Sequence, residues 1–280
     1  MPEIAERAFV NSLPKSGTNL VQKLVELLGF GYSRRSVAAS SLHGRYQLYK
    51  RILRSPWFER NPTPIGIEAS AVVSSSWLER YVSATPSGQY LTGHAAYSDF
   101  LDFVVRREGI PVLQVIRDPR DVALSWVEYI VEPQNTWAPF HAHFSALSRD
   151  ERVRFLVSGG YAPSAGLYFN SLKSILRAQE GWFERPHVLP VRFEDLVGSE
   201  GGGSADRQVE MVGTIAKFFG RENAPVEAIA QQIYGGTSTF RVGAINRAHN
   251  ALSQELLELI DESIEGIDYL RRLGYVTARP

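Results

Sequence analysis

The sequence contains no cysteine. It can therefore form neither disulfide bonds nor cysteine–zinc sites, and no thiolate can serve as a nucleophile. An excess of charge is also missing, because 30 lysine and arginine residues balance 30 aspartate and glutamate residues. A chain without net positive charge lacks the global field that attracts nucleic acid or anionic lipid, so any anion site must be local. We expect no nucleic-acid partner.

Long hydrophobic runs are absent as well. No stretch of about 18 uncharged apolar residues occurs, which is the length that a membrane-spanning helix needs. The opening MPEIAERAFVNSLP lacks the basic start and apolar core of a secretion signal. We therefore expect a cytoplasmic protein with no membrane partner. Since 44% of the 280 residues are apolar and 11% are aromatic, the chain can build a large hydrophobic core.

Short apolar strands alternate with amphipathic helical patterns along the chain. Strands are predicted at 8–11, 89–92, 111–116 and 188–193, and helices at 20–28, 100–109, 163–179, 206–219 and 253–264. This alternation predicts an α/β fold, with a single domain over residues 1–280 and a central, mostly parallel sheet flanked by helices. In such sheets, ligands gather beyond the carboxyl ends of the strands.

Two stretches fit this pattern less well. Residues 31–61 are strongly basic and show no clean period. We interpret them either as an irregular or partly helical excursion, serving as a lid or acceptor-binding segment, or as a solvated basic helix face. Residues 198–205 contain three consecutive glycines and are predicted to form a flexible surface loop.

The segment PKSGT at residues 14–18 follows a predicted strand and opens a predicted helix. In this setting, backbone N–H groups and the helix N-terminus can hold a phosphate. The segment is not a Walker A sequence, because Lys15 precedes Ser16, Gly17 and Thr18 and does not follow a second glycine, which argues against a Mg-ATP kinase. Only five lysines accompany 25 arginines, so a lysine here favours a binding role. A capped turn without a ligand is the alternative.

A second polar segment, RDPRDVALS, follows the predicted strand at 111–116. Asp118 and Pro119 are typical of a helix start. Arg117 is expected at the carboxyl edge of the sheet, and Ser125 returns to the same face two turns into the helix. A guanidinium beside a hydroxyl suits a phosphate monoester. An ion pair at the helix start, without any ligand, is the alternative.

Together these two segments resemble the PAPS-dependent sulfotransferases, which use 3′-phosphoadenosine 5′-phosphosulfate (PAPS) as sulfuryl donor and release 3′-phosphoadenosine 5′-phosphate (PAP). Three further segments agree with the family: Gly93-His94 stands where it keeps its catalytic histidine, FRVG at 240–243 resembles Phe-Arg-Lys-Gly, and RFEDL at 192–196 resembles a segment with Tyr-Glu-Asp-Leu. The resemblance implies a P-loop-like strand–loop–helix donor site, with His94 and Lys15 as catalytic residues. The donor-binding residues that it implies are Lys15, Ser16, Gly17, Thr18, Asn19, Arg117, Ser125, Phe193, Arg241, Val242 and Gly243.

The sequence departs from the family pattern at four positions. Leu20 replaces the tryptophan that stacks on adenine in many members, and Phe193 replaces a tyrosine. Val242 replaces a lysine, and Thr92 replaces a second lysine near the histidine. These differences leave the adenine contacts open and make Lys15 the more clearly placed cation near the transferred group.

The resemblance implies in-line transfer of a sulfuryl group to a hydroxyl or amine of a small-molecule acceptor. In that reaction His94 takes the acceptor's proton, and Lys15 neutralises charge on the leaving nucleotide. No metal is expected, because a sulfuryl group carries less negative charge than a phosphoryl group, and His141 and His143 have no evident third ligand. Two alternatives stay open, a non-catalytic module that binds 3′-phosphoadenosine nucleotides and a nucleotide-dependent phosphotransferase.

The sequence does not identify the acceptor. Basic residues between 34 and 60 indicate either an anionic acceptor or a lid over the donor phosphates, whereas Glu128 and Glu132 equally indicate a cationic acceptor. Aromatic residues after the second segment are predicted to line either the acceptor pocket or the core; they are Trp126, Tyr129, Trp137 and Phe140. A homodimer is also left open, since the family's dimer motif has no clear counterpart between 247 and 257.

Overall fold

The computed structural model describes residues 4–39, 42, 44–53, 61–136, 138–235 and 243–276. The strands are β1 (Arg7–Ser12), β2 (Gly31–Val37), β3 (Pro62–Pro64), β4 (Val72–Ser74), β5 (Gln89–Gly93), β6 (Val112–Ile116), β7 (Gly160–Ala162), β8 (Leu167–Phe169) and β9 (Val188–Arg192). The helices are α1 (Thr18–Leu27), α2 (Gly44–Leu53), α3 (Ser75–Ser83), α4 (Asp99–Arg107), α5 (Pro119–Tyr129), α6 (His141–Ser145), α7 (Arg149–Ser158), α8 (Leu172–Arg177), α9 (Phe193–Leu196), α10 (Ala205–Phe218), α11 (Val226–Ile233), α12 (Arg247–Ala251), α13 (Gln254–Ile264) and α14 (Asp268–Arg272).

A five-stranded sheet in the order β2-β5-β1-β6-β9 forms the centre of the protein. All four pairs of neighbouring strands are parallel. The predicted α/β fold with a central parallel sheet flanked by helices is therefore confirmed. Because the strands are parallel, β1, β5 and β6 end at the same edge, and the segments that follow them meet there.

Alternate residues of β1 face opposite layers of helices. Ala8 and Val10 pack with residues of α1, α10 and α11, whereas Phe9 packs with residues of α3 and α4. This two-residue period is expected of a strand that is buried on both faces. A third apolar cluster includes Leu13 and Ile116, which lie at the ends of β1 and β6, together with residues of α5, α7, α8 and α13.

Helix α5 starts where the sequence predicts. Asp118 is the N-cap, and its side chain accepts a hydrogen bond of 2.8 Å from the N–H of Arg120. Pro119 occupies the first helical position, where its missing N–H has no cost. The predicted helix start is confirmed, and it fixes the direction in which α5 leaves the edge of the sheet.

The prediction of a helix at 163–179 is wrong over its first half. The chain instead forms an antiparallel hairpin of β7 and β8, with Gly160 opposite Phe169, and only Leu172–Arg177 is helical. Gly166 has a φ of +64°, a conformation that glycine adopts without the penalty that a Cβ imposes. The hairpin buries Phe169 in the third apolar cluster, a tertiary contact that local periodicity does not reveal.

The basic stretch at 31–61 begins as part of the sheet. Gly31–Val37 is the edge strand β2, which pairs with β5 through an irregularity between Tyr32 and Ser36. Arg34 in this bulge has a φ of +57°. A polar, irregular edge strand lacks the apolar alternation by which strands are predicted. Residues 54–60 lie outside the described residues, and a lid function stays a prediction.

The glycine-rich segment at 198–205 forms a short 3-10 turn at Ser199–Gly201 before α10 begins. Gly201 is buried. A Cβ on this residue would lie 2.1 Å from Val197 Cγ2 and 2.5 Å from the carbonyl oxygen of Gly243. The segment therefore packs closely against the stretch that carries Gly243.

Candidate active site

The loop after β1 is held in a conformation that suits an anion. Lys15 and Gly17 both have positive φ, at 67° and 99°. The Oγ atom of Ser16 donates to the carbonyl oxygen of Leu13 at 2.6 Å and lies 3.3 Å from that of Val115, which fastens the loop to β6. No side chain caps α1 at its N-cap Gly17, so the positive end of the helix faces the loop.

Gly17 has little room for a side chain. A Cβ at this position would lie 2.5 Å from Cδ2 of Phe193, whose ring packs against the loop. The same ring lies 4.5 Å from the guanidinium carbon of Arg117. Phe193 thus joins the two segments that the sequence analysis singled out.

Arg117 is almost completely buried, with 5% of its surface exposed. Its Nη2 lies 2.7 Å from the carbonyl oxygen of Ala244 and 3.2 Å from Oδ2 of Asp121, and its Nη1 lies 3.4 Å from the carbonyl oxygen of Lys15. Within the described residues its Nε has no hydrogen-bond partner. A buried guanidinium with a spare donor is suited to a phosphate oxygen.

His94, directly after β5, is held in one tautomer. Its Nδ1 lies 3.0 Å from the carbonyl oxygen of Ser12 and 3.1 Å from Oγ of the same residue. Since a carbonyl oxygen only accepts, Nδ1 carries the proton and Nε2 keeps a lone pair. Burial lowers the pKa of His94, the bond to Ser12 opposes this shift, and the charge on Lys15 adds to it. The imidazole is therefore neutral at neutral pH and can accept a proton.

A buried network of amides fixes the backbone around this histidine. The Asn11 side chain donates to the carbonyl oxygen of Ala95 and to Gln114, and it accepts from the N–H of Ala95 at 2.9 Å. Gln114 donates to Gln179, whose Nε2 donates in turn to the carbonyl oxygen of Ser12 at 3.1 Å. Sequence analysis missed this network, although amides inside apolar strands must find partners and were a usable signal.

The side chain of Lys15 points towards α5. Its Nζ lies 3.6 Å from the centre of the Tyr129 ring, which is a cation–π contact. Burial raises the pKa of Tyr129, so the ring stays neutral. Lys15 is therefore a cation held over an aromatic ring inside the site.

One cavity of roughly 370 Å³ joins these groups. Of the predicted site residues that the structure describes, all except Ser16 line it; they are Lys15, Gly17, Thr18, Asn19, His94, Arg117, Ser125, Phe193 and Gly243. Ser16 is fully buried, and its hydroxyl fastens the loop. Phe240, Arg241 and Val242, which belong to the segment that resembles Phe-Arg-Lys-Gly, lie outside the described residues.

The other end of the cavity is mostly apolar and aromatic. Its lining includes Trp126, Ile130, Phe140 and Phe169. The Phe169 ring packs edge-on against Phe140 at 5.0 Å and against Trp126 at 5.9 Å. Tyr129 also lines the cavity, and Trp137 lies outside the described residues. Three of the four predicted aromatic residues are thus found at the cavity, where they also contribute to packing.

Sequence analysis missed Glu68, which lines the same cavity. No motif includes this residue, and the short loop that carries it has no periodic pattern. Within the described residues no cluster of three or more His, Cys, Asp or Glu side chains could hold a metal ion. Over the same ranges, no helix combines the length and apolar character needed to cross a bilayer.

Comparison with known families assigns the chain. The model of the sulfotransferase domain matches residues 5–235, which is most of the sequence. The chain therefore belongs to the sulfotransferase family, the enzymes that transfer sulfuryl groups. The match ends before the segment FRVG at 240–243. No curated protein matches the sequence.

Solved structures with the same fold come from this class. Mouse sulfotransferase SULT7A1 complexed with PAP superposes with a TM-score of 0.59, at 15% identity over 97% of this chain and 89% of that one. Retinol dehydratase in complex with androsterone and inactive cofactor PAP gives a TM-score of 0.55, at 14% identity over 100% of this chain and 84% of that one. At such low identity these similarities establish the fold alone.

Proposed function

We propose that this sulfotransferase moves a sulfuryl group from PAPS to a hydroxyl or amine of a small-molecule acceptor. The observation that carries the proposal is the geometry of one cavity, in which the unprotonated Nε2 of His94, the cation of Lys15 and the buried Arg117 come together. The similar structures that contain PAP support the choice of nucleotide.

The residues at the donor end fit a nucleotide with two separate phosphate groups. The first turn of α1, from Thr18, and the left-handed loop at Gly17 would hold the 5′-phosphate. Arg117, Ser125 and Gly243 would hold the 3′-phosphate. The fit is supported by the Nε of Arg117, which has no partner within the described residues, and by the left-handed turn at Gly17, where the Phe193 ring leaves no room for a Cβ.

PAPS, when bound, supplies a sulfuryl group on a mixed sulfate–phosphate anhydride. His94 takes the proton of the acceptor hydroxyl or amine at Nε2, while Nδ1 stays bonded to Ser12. A base positioned in this way contributes about 10²- to 10⁴-fold to the rate. Lys15 neutralises negative charge on the leaving side. No metal takes part in the proposed reaction, because the protein's own cations supply this charge.

The proposal is tested with ³⁵S-labelled PAPS and a panel of phenols, alcohols and amines. We expect labelled product and stoichiometric release of PAP without added magnesium. Lys15→Ala is expected to abolish most of this transfer, and Lys217→Ala, which removes an exposed lysine of α10, is expected to preserve it. PAP binding without any transfer would favour the non-catalytic module. Transfer from [γ-³²P]ATP with magnesium, but not from PAPS, would favour the phosphotransferase.

A further inference from the structure

Glu68 is a half-buried residue that lines the acceptor end of the cavity, and the proposed mechanism does not use it. This inference rests on the proposed function: we propose that Glu68 selects acceptors that carry an ammonium group. The preferred acceptor is then a small aromatic ring that bears an aminoalkyl group and a separate hydroxyl. The opposed charge cues in the sequence leave this choice open, and the arrangement of charges in the cavity decides it.

The loop that carries Glu68 is held firmly in place. It is closed by bonds from the N–H groups of Ile65 and Gly66 to the carbonyl oxygen of Ala71, at 2.9 and 3.2 Å. The N–H of Ala96, two residues after His94, donates to the carbonyl oxygen of Ile65 at 3.2 Å. The loop is therefore tied directly to the strand end that positions the catalytic base.

Asn170 fixes the same loop from the opposite side. Its backbone N–H donates to the carbonyl oxygen of Glu68, and its Nδ2 donates to that of Ile67, both at 2.8 Å. Asn170 directly follows Phe169, which is one of the aromatic residues of the acceptor end. These hydrogen bonds therefore fix the backbone of Glu68 relative to the aromatic residues.

The Glu68 carboxylate has no cationic partner in the described part of the chain. Burial raises the pKa of Glu68 to about 6, against a smaller lowering by its own backbone N–H. Among the residues that the structure describes, no positive charge contributes to this pKa. The carboxyl group is therefore mostly ionised at neutral pH, inside a site that offers it little compensation. A ligand that brings a positive charge would supply that compensation.

The other charged residues that line the cavity lie towards the donor end or are already paired. Glu128 forms a salt bridge of 3.0 Å with Arg247. Lys15 lies over Tyr129, and Arg117 is bonded to Asp121 and to two carbonyl oxygens. Among the described lining residues, the acceptor end thus presents one negative charge, which disfavours an anionic acceptor.

The aromatic walls suit the same class of ligand. Trp126, Phe140 and Phe169 present ring surfaces to the cavity that carries the carboxylate. Rings stabilise a cation by their quadrupole and accept an aromatic ligand by stacking. A carboxylate beside aromatic walls therefore recognises an aromatic body with an ammonium group, while the hydroxyl of the same ligand is free to reach His94.

The test compares tyramine, a phenol with an ammonium group, with 4-ethylphenol, which has a similar shape but no charge. Calorimetric titration of the full chain, with and without PAP, measures binding independently of turnover. In the wild type we expect tyramine to bind about 10- to 100-fold more tightly, as for one hydrogen bond to a charged group. Glu68→Gln should remove this preference by weakening tyramine alone. Glu68→Asp, which keeps the charge, should retain part of it.

Glu210→Gln is the matched control, since the Glu210 side chain on α10 is 66% exposed, and it should keep the full preference. In turnover, Glu68→Gln should raise the KM for tyramine and leave kcat within about threefold. Equal wild-type affinity for the two phenols, or equal weakening of both in Glu68→Gln, would overturn the inference. A chain that prefers tyramine but fails to bind PAP would instead overturn the proposed donor. Thermal unfolding of each variant checks that it is folded.

Discussion

The two ends of the cavity are built in different ways. The proposed donor end is made by short continuous segments that follow the neighbouring strands β1 and β6, and it carries Lys15 and Arg117. The proposed acceptor end combines side chains that are distant in sequence, with Glu68 from a loop, Trp126 from α5 and Phe169 from β8. Parallel topology dictates the first arrangement, whereas the packing of separate layers dictates the second.

Because the two ends are built from different parts of the chain, nucleotide binding and acceptor binding should be separable in energy. His94 lies between them, tied to β1 through Ser12 and to the Glu68 loop through Ala96. Variants of the donor end should therefore change nucleotide binding, variants of the acceptor end should change acceptor binding, and loss of the histidine should change turnover alone.

The largest expected effect is on turnover. His94→Ala should lower kcat by about 10²- to 10⁴-fold because the proton acceptor is lost. The affinity for PAP, measured by calorimetry, should stay within about threefold, since the bonds of His94 are to Ser12 of β1 and reach Thr18 only through the Ser12 hydroxyl. His249→Ala, at an exposed position of α12, is the control and should behave as wild type. A loss of turnover smaller than about tenfold would remove His94 from the role of base.

A smaller effect is expected at the donor end. Ser125→Ala should weaken PAP by about tenfold, the size of one lost hydrogen bond to a charged group, and leave adenosine 5′-phosphate unaffected. Ser125 is preferred to Arg117 for this test, because removing Arg117 would leave the buried Asp121 without its ion pair and destabilise the fold. Ser145→Ala, at an exposed position of α6, is the control. Equal weakening of both nucleotides would place Ser125 away from the 3′-phosphate.

At the acceptor end the expected change falls on the acceptor alone. Phe140→Leu should raise the KM for a phenolic acceptor by about two- to tenfold, the range of one lost aromatic pair. The affinity for PAP should not change, because Phe140 contacts Phe169 and not the phosphate loop. Steady-state kinetics with saturating PAPS, together with PAP titration, separate the two quantities. A parallel loss of PAP affinity would show that the two ends are coupled.

The smallest expected effect is a shift along the pH axis. In the proposed reaction the base works as a neutral imidazole, and burial lowers the pKa of His94 below its ordinary value. The value of kcat/KM should therefore stay level as pH falls from 8 through about 6.5 and should drop only as pH passes through the lowered pKa. A profile with an uncharged phenol such as 4-ethylphenol isolates His94 from Glu68. A decline that begins above the ordinary histidine pKa would contradict the described environment.

What could be predicted from the sequence also differs between features set by local pattern and features set by tertiary packing. The strands around Phe9 and Leu113, the helix start at Asp118 and the lining positions of Lys15 and His94 were predictable, because each depends on local pattern or on parallel topology. The hairpin that presents Phe169, the amide network of Asn11 and the carboxylate of Glu68 were not. Each of these depends on tertiary contacts, such as the packing of Phe169 against Phe140 and the bonds of Asn11 to Ala95 and Gln114, which lie 84 and 103 residues further along the chain.

A calorimetric titration of the full chain with PAP and with adenosine 5′-phosphate, in the absence of magnesium, asks whether the site recognises a 3′-phosphate. Because Arg117 and Ser125 face a 3′-phosphate in the proposed complex, PAP should bind about 10- to 100-fold more tightly than adenosine 5′-phosphate. Equal affinity for the two nucleotides, or no binding of either, would contradict the donor site described above.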